Sequence, residues 1–295
     1  MALSLSDLKK SSKVSLTTLI EESNKSSGTT ERKKDVRFWQ PTVDQAGNGN
    51  ALIRFLPAPF VDGEDGLPWA KYWSHGFKGP SNKWYIEWSL TSIGQPDPVS
   101  EYNSKLWATE DPELQAQVRR QKRKQNFVAN ILVINDPAKP ENNGKVFLFQ
   151  FGQKIWDKIK GAMAPDEELG EEPTNPFDFW EGQNFKLKIK KVGDYRNYDD
   201  SGFSNVSAIS KKDDEIEAIW KSEYSLKEFT NPNSPEYKSY DELKEQLYKV
   251  LEIRDESVSS SVTRLAMQAE SAATDSGIDL SDDDDATLDA VLKNL

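Results

Sequence analysis

Three stretches of the chain place lysine or arginine beside aromatic rings. Residues 119–124 put five cations in six positions and lead into Phe127; these cations are Arg119, Arg120, Lys122, Arg123 and Lys124. Residues 186–200 combine Lys188 with Tyr195 and Tyr198, and residues 77–85 place Tyr85 beside Lys78 and Lys83. Cations bind phosphates and flat rings stack on unpaired bases, so the pattern predicts a site for single-stranded nucleic acid that does not read base identity.

The same rings have an alternative use in packing. Phe147 and Phe151 share one face of a strand, which favours the core. Tyr195 and Tyr198 lie in the loop 193–202, bounded by glycines, which favours a surface role. For Tyr85 and Phe149 the sequence does not decide between core packing and surface stacking. Most of the nine tryptophans are expected to be structural.

Several chemistries are excluded by residue type. The chain has no cysteine and one histidine, His75, so disulfides, thiolate metal sites, cysteine nucleophiles and paired-histidine metal sites are ruled out. His75, followed by Gly76, is expected to be an ordinary loop residue. No glycine-rich phosphate loop is present. A Mg²⁺-dependent nuclease built from carboxylates stays open as an alternative, with Asp199, Asp200, Glu215 and Lys211 as its candidate residues.

Charge is distributed unevenly. Residues 1–60 hold nine Lys/Arg against six Asp/Glu, a net of +3, whereas residues 270–295 hold eight acidic residues against one lysine, a net of −7. The whole chain carries −11, with 36% hydrophobic and 29% charged residues. This composition predicts a folded body with a basic arm and an acidic tail. The chain contains no apolar run of 18 residues, and we expect a soluble, intracellular protein.

Hydrophobic periodicity predicts short strands. They are expected at residues 51–56, 83–88, 127–134, 145–151, 184–192 and 203–209, the third buried on both faces and the fifth with one basic face. Residues 127–151 should form a hairpin with a long loop. Helices are expected after residue 153, around Ile216 to Trp220, and around Leu243 to Leu251.

These elements predict a mainly β fold with helices, of the α+β class. Short antiparallel strands interrupted by one helix suit an OB-fold barrel core, with an irregular insertion at about 57–125. The predicted organisation is a basic N-terminal arm at 1–35, the core at 36–250, a linker at 251–274 and an acidic tail at 275–295.

Several sequence blocks resemble a known family. These are residues 46–57 (AGNGNALIRFLP), 75–78 (HGFK), 83–87 (KWYIE), 129–133 (ANILV), 144–147 (GKVF) and 154–159 (KIWDKI). In this order they resemble the single-stranded-DNA-binding proteins of T-even-type bacteriophages over about residues 40–210. The resemblance implies a non-enzymatic, helix-destabilising protein of phage DNA replication, recombination and repair, active in the cytoplasm of the infected host cell.

The resemblance also implies residue roles. Phe127, Phe149, Tyr195 and Tyr198 fall on the family's stacking rings, and Arg54 falls on its backbone-binding arginine. Lys9, Lys10, Ser11 and Ser12 match the basic-then-hydroxyl arm that drives cooperative self-association along DNA. The acidic tail, with Asp282, Asp283, Asp284, Asp285 and Asp289, is expected to bind replication and recombination partners. Binding of single-stranded RNA stays open as an alternative.

One family feature is absent. The family's best-known member holds zinc through one histidine and three cysteines, whereas this chain keeps His75 and places Ser89, Asp97 and Ser100 about where the thiolates would lie. Hydroxyls and one carboxylate do not replace three thiolates at a structural zinc site. We therefore expect no metal and no cofactor, with Trp69, Trp73, Trp84 and Trp88 packing the insertion instead.

Overall fold

The core is an antiparallel sheet that curls into a half-barrel. It is seen in a computed structural model that describes residues 35–165, 172–193 and 195–253. Its strands are β1 (Gly49–Phe55), β2 (Ala70–Lys78), β3 (Trp84–Trp88), β4 (Lys124–Asn135), β5 (Val146–Phe151), β6 (Gln183–Val192), β7 (Tyr195–Asn197) and β8 (Gly202–Val206). The strand order is β3-β2-β4-β1-β6-β7, with β5 also paired to β4 and β8 to β6.

Five α-helices occur in the described residues: α1 (Pro98–Trp107), α2 (Pro112–Gln121), α3 (Gln153–Met163), α4 (Asp213–Lys221) and α5 (Tyr240–Leu251). Their starts are fixed by local sequence. Asp97 and Asp111 each accept hydrogen bonds from first-turn amides, and each precedes a proline, which suits a helix start because proline has no amide hydrogen to leave unpaired. Ser239 and Glu242 form a reciprocal capping box at the start of α5.

Strand β4 is the hub of the sheet. Its first half pairs with β2, its second half pairs with β1, and β5 runs along residues 127–132. Residues 126–133 are all buried, as the continuous apolar sequence predicts for a strand covered on both faces. The predicted β4–β5 hairpin is confirmed by this register.

Phenylalanine rings fill the half-barrel. Phe55 is fully buried and lies 5.6–5.8 Å, centroid to centroid, from Phe151, Phe177 and Phe185. Such separations suit edge-to-face and tilted ring pairs. On β6, Phe185, Leu187 and Ile189 face this core while the alternating lysines stay exposed. The prediction of a strand with one basic face is therefore confirmed.

The segment 57–125 is not irregular. It contains β2, β3, α1 and α2, and β2 joins the main sheet through β4. The prediction failed here because Trp69 to Phe77 mixes polar and apolar residues on both faces, which obscures the strand period. A second apolar cluster, with Phe77, Tyr85 and Leu247 among its members, packs α5 against this segment.

A close approach joins the β2–β3 turn to the last helix. A Cβ atom at Gly79 would overlap the carbonyl oxygen of Val250 in α5. Any side chain at Gly79 would therefore force the turn and the helix apart.

Other predictions fall outside the described residues. The basic arm up to residue 34, residues 254–274 of the linker and the acidic tail are among them.

A buried carboxyl group follows α4. Glu223 is 7% exposed, and among the residues that the structure describes neither of its oxygens has a hydrogen-bond partner. Burial, and then the charge of Asp62, raises the pKa of Glu223 to about 9. The folded protein therefore holds a proton on Glu223 that the unfolded chain releases near pH 4.5.

We predict that Glu223→Gln removes the decrease in folding stability that Glu223 causes as the pH rises. In the wild type the contribution of neutral Glu223 is complete below about pH 4.5 and is lost as pH rises towards about 9, because over that window the folded state binds more protons than the unfolded state. The variant should gain in melting temperature over the wild type between pH 5 and pH 9, as thermal unfolding across that range would measure. Each unit of pKa displacement corresponds to about 1.4 kcal/mol.

The control is Glu217→Gln on α4, whose exposed carboxylate pairs with Lys221. It should not reproduce this gain. A pH profile of Glu223→Gln parallel to that of the wild type would contradict the assignment.

Candidate nucleic-acid interface

The structure buries two of the predicted stacking rings. Phe127 is 1% exposed and Phe149 is 3% exposed. Phe127 stacks between Phe151 and Trp156, at centroid distances of 5.8 and 4.4 Å, and Phe149 meets Trp39 edge to face. The prediction that these two rings are open to a ligand is corrected. Phe127 lies on β4 and Phe149 on β5, and both rings belong to the core of the half-barrel.

Tyr85 and Tyr198 are also buried, at 0% and 7% exposure. Tyr85 stacks on Phe77 at 5.0 Å and an interplanar angle of 10°, and burial raises the pKa of its phenol. Tyr198 packs against the core that contains Phe55. A surface stacking role for either tyrosine is therefore corrected, because neither ring is open to a ligand.

Arg54 is fully buried as well. Its guanidinium donates to Asn184 Oδ1 at 3.3 Å and to the carbonyl of Ser207. Burial lowers the pKa of Arg54, and nearby Asp178 opposes that effect. The predicted contact between Arg54 and a nucleic-acid backbone is corrected, since this side chain ties β1 to β6 and to the segment after β8.

Tyr195 has the surface position that the sequence predicts, and its stacking role stays a prediction. It is 54% exposed on β7, opposite Val192, and Lys190 lies opposite Asn197 in the same ladder. Directly paired residues share a face, and alternation along β6 adds Lys186 and Lys188 to that face. We call this exposed set, Lys186, Lys188, Lys190 and Tyr195, the lysine face.

Acidic groups border the lysine face. Lys190 forms an ion pair with Asp200, and Lys158 of α3 donates to the carbonyl of Asp199 at 2.9 Å. The hydrogen bond and charge of Lys190, followed by Lys188 and Lys158, lower the pKa of Asp200. Three cations thus converge on one exposed turn.

A second cationic and aromatic set was missed at the sequence level. Arg123 Cζ lies 4.4 Å from the ring centroid of Trp73, and Lys71 Nζ lies 5.3 Å from it. These are cation–π distances. Trp73 is half-buried and Lys71 is exposed. We call Lys71, Trp73 and Arg123 the tryptophan cluster.

The tryptophan cluster continues into other half-exposed rings. Trp69 directly precedes β2, two residues before Lys71, and its ring centroid is 5.0 Å from that of Trp156 on α3. The run Trp69-Ala70-Lys71-Tyr72-Trp73 already contains the signal, because alternate residues in a strand share a face. The expectation that Trp69 and Trp73 only pack the segment 57–125 overlooked it.

The remaining predicted cations are arranged around α2 and the start of β4. Arg119, Arg120 and Lys122 are exposed, and Arg123 and Lys124 are partly buried. Arg119 Cζ lies 5.5 Å from the ring centroid of Trp107. This run therefore reaches the tryptophan cluster through Arg123.

The carboxylates of the nuclease alternative have other partners. Asp200 pairs with Lys190 on the lysine face, whereas Glu215 of α4 pairs with Lys212 at 2.7 Å and accepts from Ser210. Within the described ranges no group of three or more His, Cys, Asp or Glu side chains is placed to hold a metal ion. His75 is not a loop residue: it lies on β2 and is 1% exposed.

Comparison with known proteins finds relatives that are all single-stranded DNA-binding proteins of phages. A family model described as gp32 DNA binding protein like matches residues 47–251. The chain is 42% identical over 224 residues to the single-stranded DNA-binding proteins of Enterobacteria phages T4 and T2, an alignment that covers 74% of this chain and 71% of each relative. A single-stranded DNA-binding protein of Escherichia phage SV14 is 40% identical over 84 residues, 27% of this chain and 71% of that protein.

Proposed function

The chain belongs to the family of gp32-like DNA-binding proteins, and we propose from this premise that it binds single-stranded DNA without reading base sequence. It is a binding protein and not an enzyme. We further propose that its half-barrel is an OB-type core and that it serves phage DNA replication, recombination and repair in the host cytoplasm.

The tryptophan cluster is the observation that carries this proposal. A half-exposed ring held beside two cations offers an apolar surface for a base next to positive charge for phosphates, the combination that single strands require. The lysine face repeats the arrangement, with Tyr195 among Lys186, Lys188 and Lys190. A stacked duplex keeps its bases away from such rings, so binding favours the melted strand by mass action.

The cationic run of residues 119–124 supplies a second part of the electrostatic attraction. Each phosphate neutralised on a single strand steepens the dependence of log affinity on log salt by about 0.7. Affinity should therefore fall steeply with salt and be much weaker for duplex than for oligo-dT. Equal binding of duplex and single strand across a salt titration would contradict the proposal, and stronger binding of oligo-U than of oligo-dT would favour the RNA alternative.

We predict that Trp73→Leu or Tyr195→Leu lowers affinity for oligo-dT by on the order of tenfold. Base stacking on a ring contributes ~1–3 kcal/mol per base. Fluorescence anisotropy at fixed salt would measure the loss, and an abasic strand of equal length should bind wild type and variants alike because it has no bases to stack.

Two matched variants control this test. Trp84→Leu removes another half-buried tryptophan beside a cation, Lys78 at 5.0 Å, but outside both surfaces, and should bind as the wild type does. Tyr195→Phe keeps the ring and should also bind normally. Equal losses on oligo-dT and the abasic strand would show that charge or folding had changed rather than stacking.

The basic arm is proposed to drive cooperative binding through Lys9, Lys10, Ser11 and Ser12. We predict that deleting residues 1–14 leaves affinity for a short oligonucleotide nearly intact and abolishes clustered binding on long strands. Binding isotherms on the two lengths would measure this. Similar losses on both would remove the arm from this role.

The acidic tail is proposed to mimic phosphates. Asp282 to Asp285 would occupy the cationic surfaces without DNA and would become available to replication and recombination proteins once a strand binds. We predict that deleting residues 275–295 raises affinity for oligo-dT at low salt, because an internal competitor is removed. Unchanged affinity in the truncated protein would refute the mimicry.

Membrane attachment does not enter the proposal. Among the residues with described positions, no helix combines the length and apolar character needed to span a bilayer.

A further inference from the structure

A buried polar cluster lies outside both cationic surfaces. It consists of His75 on β2, Ser89 just after β3 and Asp97 at the start of α1, which are 1%, 0% and 2% exposed. We call these three residues the polar clasp. Polar groups are buried at this depth only when they are hydrogen-bonded, so the contacts of each member are informative.

Asp97 is the centre of the clasp. Its carboxylate accepts from Ser89 Oγ at 3.0 Å and from the amides of Leu90 and Ser100 at 3.1 and 2.9 Å. It also lies 3.2 Å from His75 Nε2. Burial alone would raise the pKa of Asp97, but His75, followed by Ser100 and Ser89, holds it well below its ordinary value. The carboxylate is therefore ionised, and both of its oxygens accept hydrogen bonds.

His75 completes the arrangement with two acceptors. Its Nδ1 lies 3.0 Å from the carbonyl oxygen of Gln121, and its Nε2 faces the Asp97 carboxylate. The imidazole thus lies between the Asp97 carboxylate and the end of α2, with each ring nitrogen in contact with an oxygen atom.

The clasp joins segments that are distant in sequence. Gln121 is the last residue of α2, and Asn103 of α1 also donates to its carbonyl at 3.3 Å. Through these bonds β2, the turn after β3, α1 and α2 meet at one point. Lys122 and Arg123 follow Gln121 directly, so the clasp fixes where the chain turns towards Trp73.

The residues at this place do not suit the zinc that the family resemblance implies. Structural zinc is held by thiolates and imidazoles in a closed tetrahedron. Here Ser89 supplies a neutral hydroxyl that donates to Asp97, and both ring nitrogens of His75 are already committed. Metal binding would require the contacts of His75 and Ser89 with Asp97 to break.

We infer that the polar clasp performs, without metal, the structural task of a zinc centre: it holds α1 and α2 against β2 and β3 and positions the cationic run beside the tryptophan cluster. Removing the Asp97 carboxylate leaves its buried donors, Ser89 Oγ and the amides of Leu90 and Ser100, without their acceptor, which is destabilising. This inference does not depend on the proposed function.

Hydrogen exchange with a matched pair of variants tests the clasp. Asp97→Asn removes the central carboxylate, whereas Asp136→Asn removes another buried carboxylate, which accepts from Trp39 and Asn142 at 3.0 and 3.1 Å. Both variants should melt at lower temperature. Asp97→Asn should accelerate amide exchange across residues 90–121, and Asp136→Asn should leave that region unchanged.

An unchanged exchange rate across α1 and α2 in Asp97→Asn would overturn the inference. Acceleration of that same region by Asp136→Asn would overturn it as well, because the effect would then reflect global instability.

Metal analysis gives a second, independent test. The full chain produced in zinc-supplemented medium should carry zinc well below one ion per chain, and EDTA should leave its melting temperature unchanged. Stoichiometric zinc, or a lower melting temperature with EDTA, would overturn the inference.

The converse variant restores thiolates at the three positions. The triple substitution Ser89→Cys, Asp97→Cys and Ser100→Cys, with His75 retained, should bind one Co²⁺ and show thiolate-to-cobalt absorption that the wild type lacks. A folded triple variant without this absorption would show that His75 and the three substituted positions do not lie close enough together to hold one metal ion.

Discussion

Backbone hydrogen bonding along β4 is the constraint on which the rest of the structure depends. A strand covered on both faces has no water to satisfy its amides and carbonyls, so neighbouring strands must do so along its whole length. β2 and β1 divide one edge between them, and β5 takes the other. This division bends the sheet, and it places the aromatic core on one side of β4 and the segment of α1 and α2 beyond β2.

The two cationic surfaces follow from this arrangement. Because the core takes the inward residues of β6, the alternating lysines of that strand face outward together with Tyr195. Because β2 pairs with the first residues of β4, Trp73 lies opposite Gln125, and Arg123 comes directly before this strand. The chain has a net charge of −11. It nevertheless presents concentrated positive charge on the lysine face, because the lysines of β6 alternate with residues that face the core.

Hydrophobic periodicity predicted where the strands lie better than it predicted which aromatic rings are exposed. The strict alternation of β6 and the continuous apolar run of β4 identified both strands and the coverage of their faces. The run of β4 gave no indication that Phe127 points into the core, because a strand buried on both faces has no polar face to set the phase. Phe149 lies on β5, on the same face as Phe147 and Phe151, so alternation along that strand did favour the core. Arg54 was predicted wrongly because a cation is ordinarily exposed, and the carbonyl group that accepts from it, that of Ser207, lies 153 residues away. The polar clasp joins residues up to 46 positions apart, so spacing along the chain could not reveal it.

The contact between Gly79 and Val250 gives the C-terminal segment a defined origin. Gly79 lies six residues beyond Trp73, about 20 Å along β2 at the rise of an extended strand. The 21 residues from 254 to 274 span at most roughly 75 Å when fully extended. A tail that competes for the tryptophan cluster, as proposed, would therefore compete within its own molecule, with a strength independent of protein concentration.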